Sequence, residues 1–88
     1  MVLRKVIVHG LVQGVGFRYA VAAAARSRGV AGWVRNRSDG TVEAVFEGEP
    51  DAVEAMVEFV RNDPGHSSVE RVEVSEEEPE GLSGFQTR

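Results

Sequence analysis

Val30-Ala31-Gly32-Trp33-Val34-Arg35-Asn36-Arg37-Ser38-Asp39-Gly40-Thr41-Val42-Glu43-Ala44-Val45-Phe46-Glu47 is the stretch that decides the fold. Valine and aromatic side chains crowd both sides of Ser38-Asp39-Gly40. That trio suits a tight reversal, because Asp hydrogen-bonds its own neighbouring backbone and Gly accepts positive φ. The pattern predicts two strands, 30–37 and 41–47, closed into a hairpin.

Both flanks of the hairpin end in helices. On the N-terminal side, the segment from Arg18 to Arg28 is dominated by alanine, the strongest helix former, and Gly29 closes it. So many small side chains on one helix imply close approach of its backbone to a sheet. On the C-terminal side, Pro50 suits a first helical position and Asp51 the positive end of the helix dipole. Val53, Met56, Val57 and Val60 then fall at i, i+3, i+4 and i+7, one face of a helix that Pro64-Gly65 is expected to end.

Outermost lie two more strands. Residues 3–9 carry Leu3, Val6, Ile7 and Val8, and Val69, Val72 and Val74 alternate with Arg71 and Glu73. Glu76-Glu77-Glu78-Pro79-Glu80 reads as a solvated loop, and a last short strand is expected around Phe85. The order βαββαβ describes an α+β, ferredoxin-like sandwich. Its sheet has about four to five strands, antiparallel or mixed. Both helices cover one face, and the other face is left partly open to water. Residues 1–88 are expected to form a single domain.

Composition narrows the function. An apolar fraction of 42% fits a globular chain, and no segment approaches the roughly 20 apolar residues of a membrane span. There is no cysteine, which removes disulfides and thiolate metal sites and makes the cytoplasm the expected address. His9 and His66, without cysteine, do not amount to a metal site, so none is expected. Residues 1–40 hold seven basic side chains against Asp39 alone, net +6, whereas residues 41–88 hold three against thirteen acids, net −10. Either the N-terminal half attracts anions or the two halves interleave in space and the asymmetry cancels. A net charge of −4, with one Trp and one Tyr, speaks against a nucleic-acid surface.

Between the first strand and the first helix stands Gly10-Leu11-Val12-Gln13-Gly14-Val15-Gly16-Phe17-Arg18. Glycines at such a junction let successive N–H groups face one concavity, and a helix start adds its own unpaired N–H groups. Arg18 supplies a planar set of donors that matches phosphate oxygens. Gly14, Val15, Gly16, Phe17 and Arg18 are therefore the candidate phosphate-binding residues. Read singly, the glycines also fit an ordinary turn, Arg18 an exposed helix start, and Asn36 a hairpin position. No Gly-Lys-Ser/Thr follows, so the loop is not a nucleotide P-loop. No serine has an evident base partner.

Residues 10–18 resemble the first signature of the acylphosphatase family. Gly32-Trp33-Val34-Arg35-Asn36, Gly40-Thr41-Val42 and Gly48 are similar to its second, at the family's spacing. The likeness covers nearly the whole chain. One departure is Thr87, at a position usually aliphatic, with no aromatic residue after Arg88. A similar domain occurs within larger carbamoyl-transfer proteins, but the length here predicts a free-standing one.

The resemblance implies hydrolysis of small acyl phosphates to a carboxylate and inorganic phosphate, without metal, cofactor or phosphoenzyme. It implies that Arg18 binds the phosphoryl group and that Asn36 holds the attacking water, which makes these two the candidate catalytic residues. The roles are chemically reasonable: a carboxylate leaves without strong acid assistance, so positioning and charge stabilisation carry the reaction. The expected partner is a small acyl phosphate, and the expected state is a monomer. The other reading is a non-catalytic ferredoxin-like module that binds phosphate-bearing ligands.

Overall fold

The computed structural model describes residues 1–62 and 67–88. Seven elements follow one another: β1 (Val2–Leu11), α1 (Phe17–Ser27), β2 (Ala31–Asn36), β3 (Val42–Gly48), α2 (Pro50–Arg61), β4 (Ser68–Glu77) and β5 (Phe85–Thr87). They build one five-stranded sheet in the order β4-β1-β3-β2-β5. Pairing is antiparallel except between β2 and β5, which run parallel. β1 and β2 flank β3 and share a direction, so α1 crosses over β3. α2 likewise carries the chain from β3 past β1 to β4. This is the expected split βαβ arrangement, with a fifth strand added at the β2 edge.

The hairpin forms as its residues dictate. Asp39 Oδ1 accepts the Thr41 N–H at 3.0 Å and the Thr41 hydroxyl at 2.6 Å, and Arg37 N–H donates to Thr41 O at 2.9 Å. The core lies between the sheet and the helices. Val6, Val8, Val34, Val42, Ala44 and Phe46 meet Phe17, Val21, Ala22 and Ala25 of α1 and Val53, Met56, Val57 and Val60 of α2. The apolar stripe expected of α2 is buried in full. α2 ends at Arg61; the stop expected at Pro64-Gly65, and His66, lie outside the described residues.

Two expectations need correction. Glu76 and Glu77 belong to β4, opposite Arg4 and Leu3, and not to a loop, because the ladder with β1 continues that far. β4 also carries a bulge where β1 passes from His9 to Gly10. The extra residue changes the alternation, so Val69 and Val72 both pack against the core although they lie an odd number of positions apart. The second face is partly open, as expected, with Lys5 and Arg35 reaching water, while Glu43, Val45 and Glu47 along β3 are buried. Arg35 Nε donates to Glu43 Oε1 at 2.7 Å, and Lys5 Nζ lies 3.5 Å from Oε2. Together with Arg4–Glu76 and His9–Glu73, these pairs interleave the basic and acidic halves of the chain.

Glu47 fastens the loop that leads to β5. Its carboxylate accepts backbone N–H groups from Glu80 and Gly81, each at 2.9 Å, and from Leu82 at 2.6 Å. These bonds, that from Gly81 first, hold its carboxyl below its ordinary value of 4.5. A depressed carboxyl stabilises the fold above its unfolded-state pKa and loses that contribution as pH falls through the folded value. Wild type is therefore expected to melt higher than Glu47→Gln near neutrality, with the gap in Tm narrowing as pH drops below about 4.5. Thermal scans from neutral to acid pH check this; a gap that stays constant would remove Glu47 from that role.

β5 is well seated despite Thr87. Phe85 is buried and stacks on Phe46 with ring centroids 6.0 Å apart. Gly32, its register partner, has φ +141, and a Cβ there would come within 1.8 Å of Val45 O. Only glycine lets β2 run this close to β3 with the Phe85 ring alongside.

Candidate active site

The C-terminal ends of β1, β2 and β5 point the same way and meet at the N-terminus of α1. β1 delivers the loop 12–16, β2 delivers Asn36, and β5 delivers Thr87 and Arg88. One cavity of about 410 Å³ opens among them, lined by Val12, Gly14, Gly16, Phe17, Arg18, Tyr19, Ala23, Arg26, Asn36 and Thr87.

The loop keeps its shape through two contributions. Gly14 and Gly16 adopt φ +74 and +80, the left-handed region that other residues enter at a cost. Gln13 Nε2 donates to Arg37 O and to Thr41 O, both at 2.8 Å, and so ties the loop to the hairpin beside Asn36. Gly16 is the N-cap of α1. No side chain caps this end, and its first turn holds no acidic residue. The first helical bond runs from Ala20 N–H to Gly16 O, so the N–H groups of Phe17, Arg18 and Tyr19 have no acceptor within the helix. An uncapped terminus with this dipole is suited to an anion.

Arg18 stands in the first turn of α1. Its guanidinium donates to Arg88 O at 2.7 Å, a contact with the strand edge that leaves its other N–H groups for a ligand. Arg88 is itself positioned by β2: its N–H donates to Val34 O at 2.8 Å, and its guanidinium lies over Trp33, 4.7 Å from the ring centroid. Asn36 is a strand residue, paired with Val42 at the end of β2, and not part of the turn. Its Oδ1 is buried and has no hydrogen-bond partner. A buried amide oxygen without a donor is costly, and one beside a cavity is ready to accept from a water.

Of the residues expected from the sequence, Gly14, Gly16, Phe17, Arg18 and Asn36 are brought to this one cavity. Val15 is not among its lining; its side chain packs against the core, which leaves only its backbone to face the loop's concavity. Sequence reasoning missed Tyr19, Ala23, Arg26 and Thr87. The first three lie at i, i+4 and i+7 on α1, a spacing visible in the sequence once Arg18 is placed at the helix start. Thr87 had no such signal, because it reaches the site only through the parallel pairing of β5 with β2.

His9 lies apart from the cavity. It is hydrogen-bonded to Glu73, whose carboxyl is held below its usual value chiefly by that bond. Among the described residues, no three His, Asp or Glu side chains form a group able to hold a metal ion. Nor is any helix there long and apolar enough to cross a membrane.

Comparison with known proteins agrees with the fold. The acylphosphatase family model matches residues 4–87. The chain is 56% identical over 78 residues to an acylphosphatase of Thermococcus kodakarensis, covering 89% of this chain and 86% of that one. It is 50% identical over 88 residues to an acylphosphatase of Nostoc, covering 100% of this chain and 87% of the relative. The crystal structure of the acylphosphatase from Bacillus subtilis superposes with a TM-score of 0.96 at 44% identity, covering 100% of this chain and 99% of that one. With its fold and nearly its whole length matched, the chain belongs to the acylphosphatase family.

Proposed function

We propose that the cavity at the start of α1 is where this chain carries out the acyl phosphate hydrolysis to which its family assigns it, with Arg18 and Asn36 as the catalytic residues. The phosphoryl group sits on the N–H groups of the loop from Gly14 to Arg18, with the Arg18 guanidinium on its equatorial oxygens. Asn36 Oδ1 accepts a hydrogen bond from a water and aims the water's lone pair at phosphorus. The water oxygen bonds to phosphorus, the bond from phosphorus to the acyl oxygen breaks, the electron pair leaves on the carboxylate, and one water proton passes to a phosphoryl oxygen to give dihydrogen phosphate. Arg18 and the helix N-terminus stabilise the charge on the phosphoryl oxygens throughout. The observation that carries this reading is that Asn36, whose Oδ1 is left without a partner, lines the same cavity as Arg18 at an uncapped helix terminus. The same reading makes the protein a monomer of the cytoplasm. A core complete within one chain supports the first, and the lack of cysteine supports the second.

Purified protein is expected to hydrolyse benzoyl phosphate, followed by loss of ultraviolet absorbance, at a rate unaffected by a chelator. Neither Arg nor Asn titrates near neutrality, so the rate should be nearly flat from about pH 5 to 8. No turnover above the spontaneous rate would hand the site to the non-catalytic, phosphate-binding alternative. A steep bell-shaped profile would implicate a titrating group other than this pair.

A further inference from the structure

The cavity is larger than its phosphate end requires. One water's share of liquid volume is about 30 Å³, so a phosphoryl group fills well under half of the 410 Å³. The remainder runs along the exposed face of α1, past Tyr19 and Ala23 to Arg26, with Thr87 on the opposite wall. If phosphate occupies the loop, the acyl group of the substrate lies in this half. Ala23 offers only a methyl group, so the groove stays open, and Arg26 stands at its far end.

Arg26 has donors to spare. One N–H goes to Phe85 O at 2.8 Å, out of the five a guanidinium carries. Among the described residues no carboxylate is paired with it, and no acidic residue lines the cavity. At ~1.5 Å of rise per residue its Cα lies about 12 Å along the axis from that of Arg18. Arg26 lines this cavity while its guanidinium is held on Phe85 O, beside β5. The groove thus has Arg18 toward one end and Arg26 toward the other.

Resting on the acyl phosphate reading above, we propose that Arg26 makes this site selective for acyl phosphates whose acyl group bears a second anionic substituent, the monophosphates of short dicarboxylic acids being the simplest class. Such a substrate places its phosphoryl group at Arg18 and its free carboxylate at Arg26. A charge-assisted bond is gained there that a neutral acyl group cannot make.

Fumaryl phosphate and crotonyl phosphate test this, since they share a rigid trans skeleton and differ in a terminal carboxylate against a methyl. The trans bond also keeps that carboxylate from attacking its own anhydride. The readout is the ratio of kcat/KM for the two substrates within each protein, which cancels any general loss of activity. Arg26→Gln is expected to lower the fumaryl-to-crotonyl ratio about two- to fivefold at low salt, in keeping with one exposed charge pair. Should Arg26→Gln fail to fold for want of its bond to Phe85 O, Ala23→Glu decides alone. It places a carboxylate in the groove at an exposed position, and the ratio is expected to fall there too. A ratio within twofold of wild type in the folded variant overturns the assignment of Arg26. Absence of crotonyl phosphate turnover by wild type would instead overturn the acyl phosphate reading on which the proposal rests.

Discussion

Arg18→Gln is expected to lower kcat/KM for benzoyl phosphate about 10³-fold and to remove competitive inhibition by inorganic phosphate. Positioned arginines on transferring phosphoryl groups are worth about 10³–10⁵ in rate, because the charge spread over the equatorial oxygens meets a donor already in place. A factor of 10³ corresponds to about 4 kcal/mol of transition-state stabilisation. Arg18 has that preorganisation, with one N–H anchored on Arg88 O and the chain of contacts running back through Val34 to β2. Glutamine keeps a polar side chain but loses both the charge and the reach. The loop N–H groups remain, so a residue of activity should survive. Inhibition assays with phosphate, run beside thermal melts, separate loss of binding from loss of fold. Phosphate inhibition equal to wild type would remove Arg18 from its assigned role.

Asn36→Ala should behave differently. Here kcat is expected to fall about 10²–10³-fold, the range seen when one positioned polar group is taken from an active site, while the inhibition constant for phosphate stays within about threefold of wild type. The phosphate lies on the loop and Arg18, and the alanine variant leaves both in place; what it loses is the acceptor that directs the water. Stability should not suffer, since the lost atom is a buried oxygen without a partner, whose removal relieves a cost. A variant retaining most of its kcat would mean that another group positions the water. The opposite responses of the two variants to phosphate make the pair more informative than either alone.

Much of this molecule could be read in the chain beforehand, and the reasons differ by element. The hairpin at Ser38-Asp39-Gly40 and the buried stripe of α2 are local: turn chemistry and helical periodicity act within a few residues. Gly14, Gly16 and Arg18 were legible for the same cause, as a strand, a permissive loop and a helix start in immediate succession. What escaped was non-local. The extension of β4 to Glu77 depends on a ladder with β1, and a run of glutamates carries no sign of it. The burial of two glutamates depends on Glu43 finding Arg35 and Lys5 on its two neighbouring strands, and on Glu47 finding a loop more than thirty residues away. Thr87 looked like a weakness of the last strand. It stands instead on the cavity wall, because β5 needs only Phe85 to anchor it.

Gln13 is a small part of the description, yet it bears on how the site behaves in time. One amide nitrogen grips two carbonyls of the hairpin, so loop and hairpin form a single mechanical unit. When thermal motion carries the edge of the sheet sideways, Asn36 and the glycine loop travel together. In the proposed mechanism, the water held by Asn36 and the phosphoryl group on the loop therefore share one frame of reference.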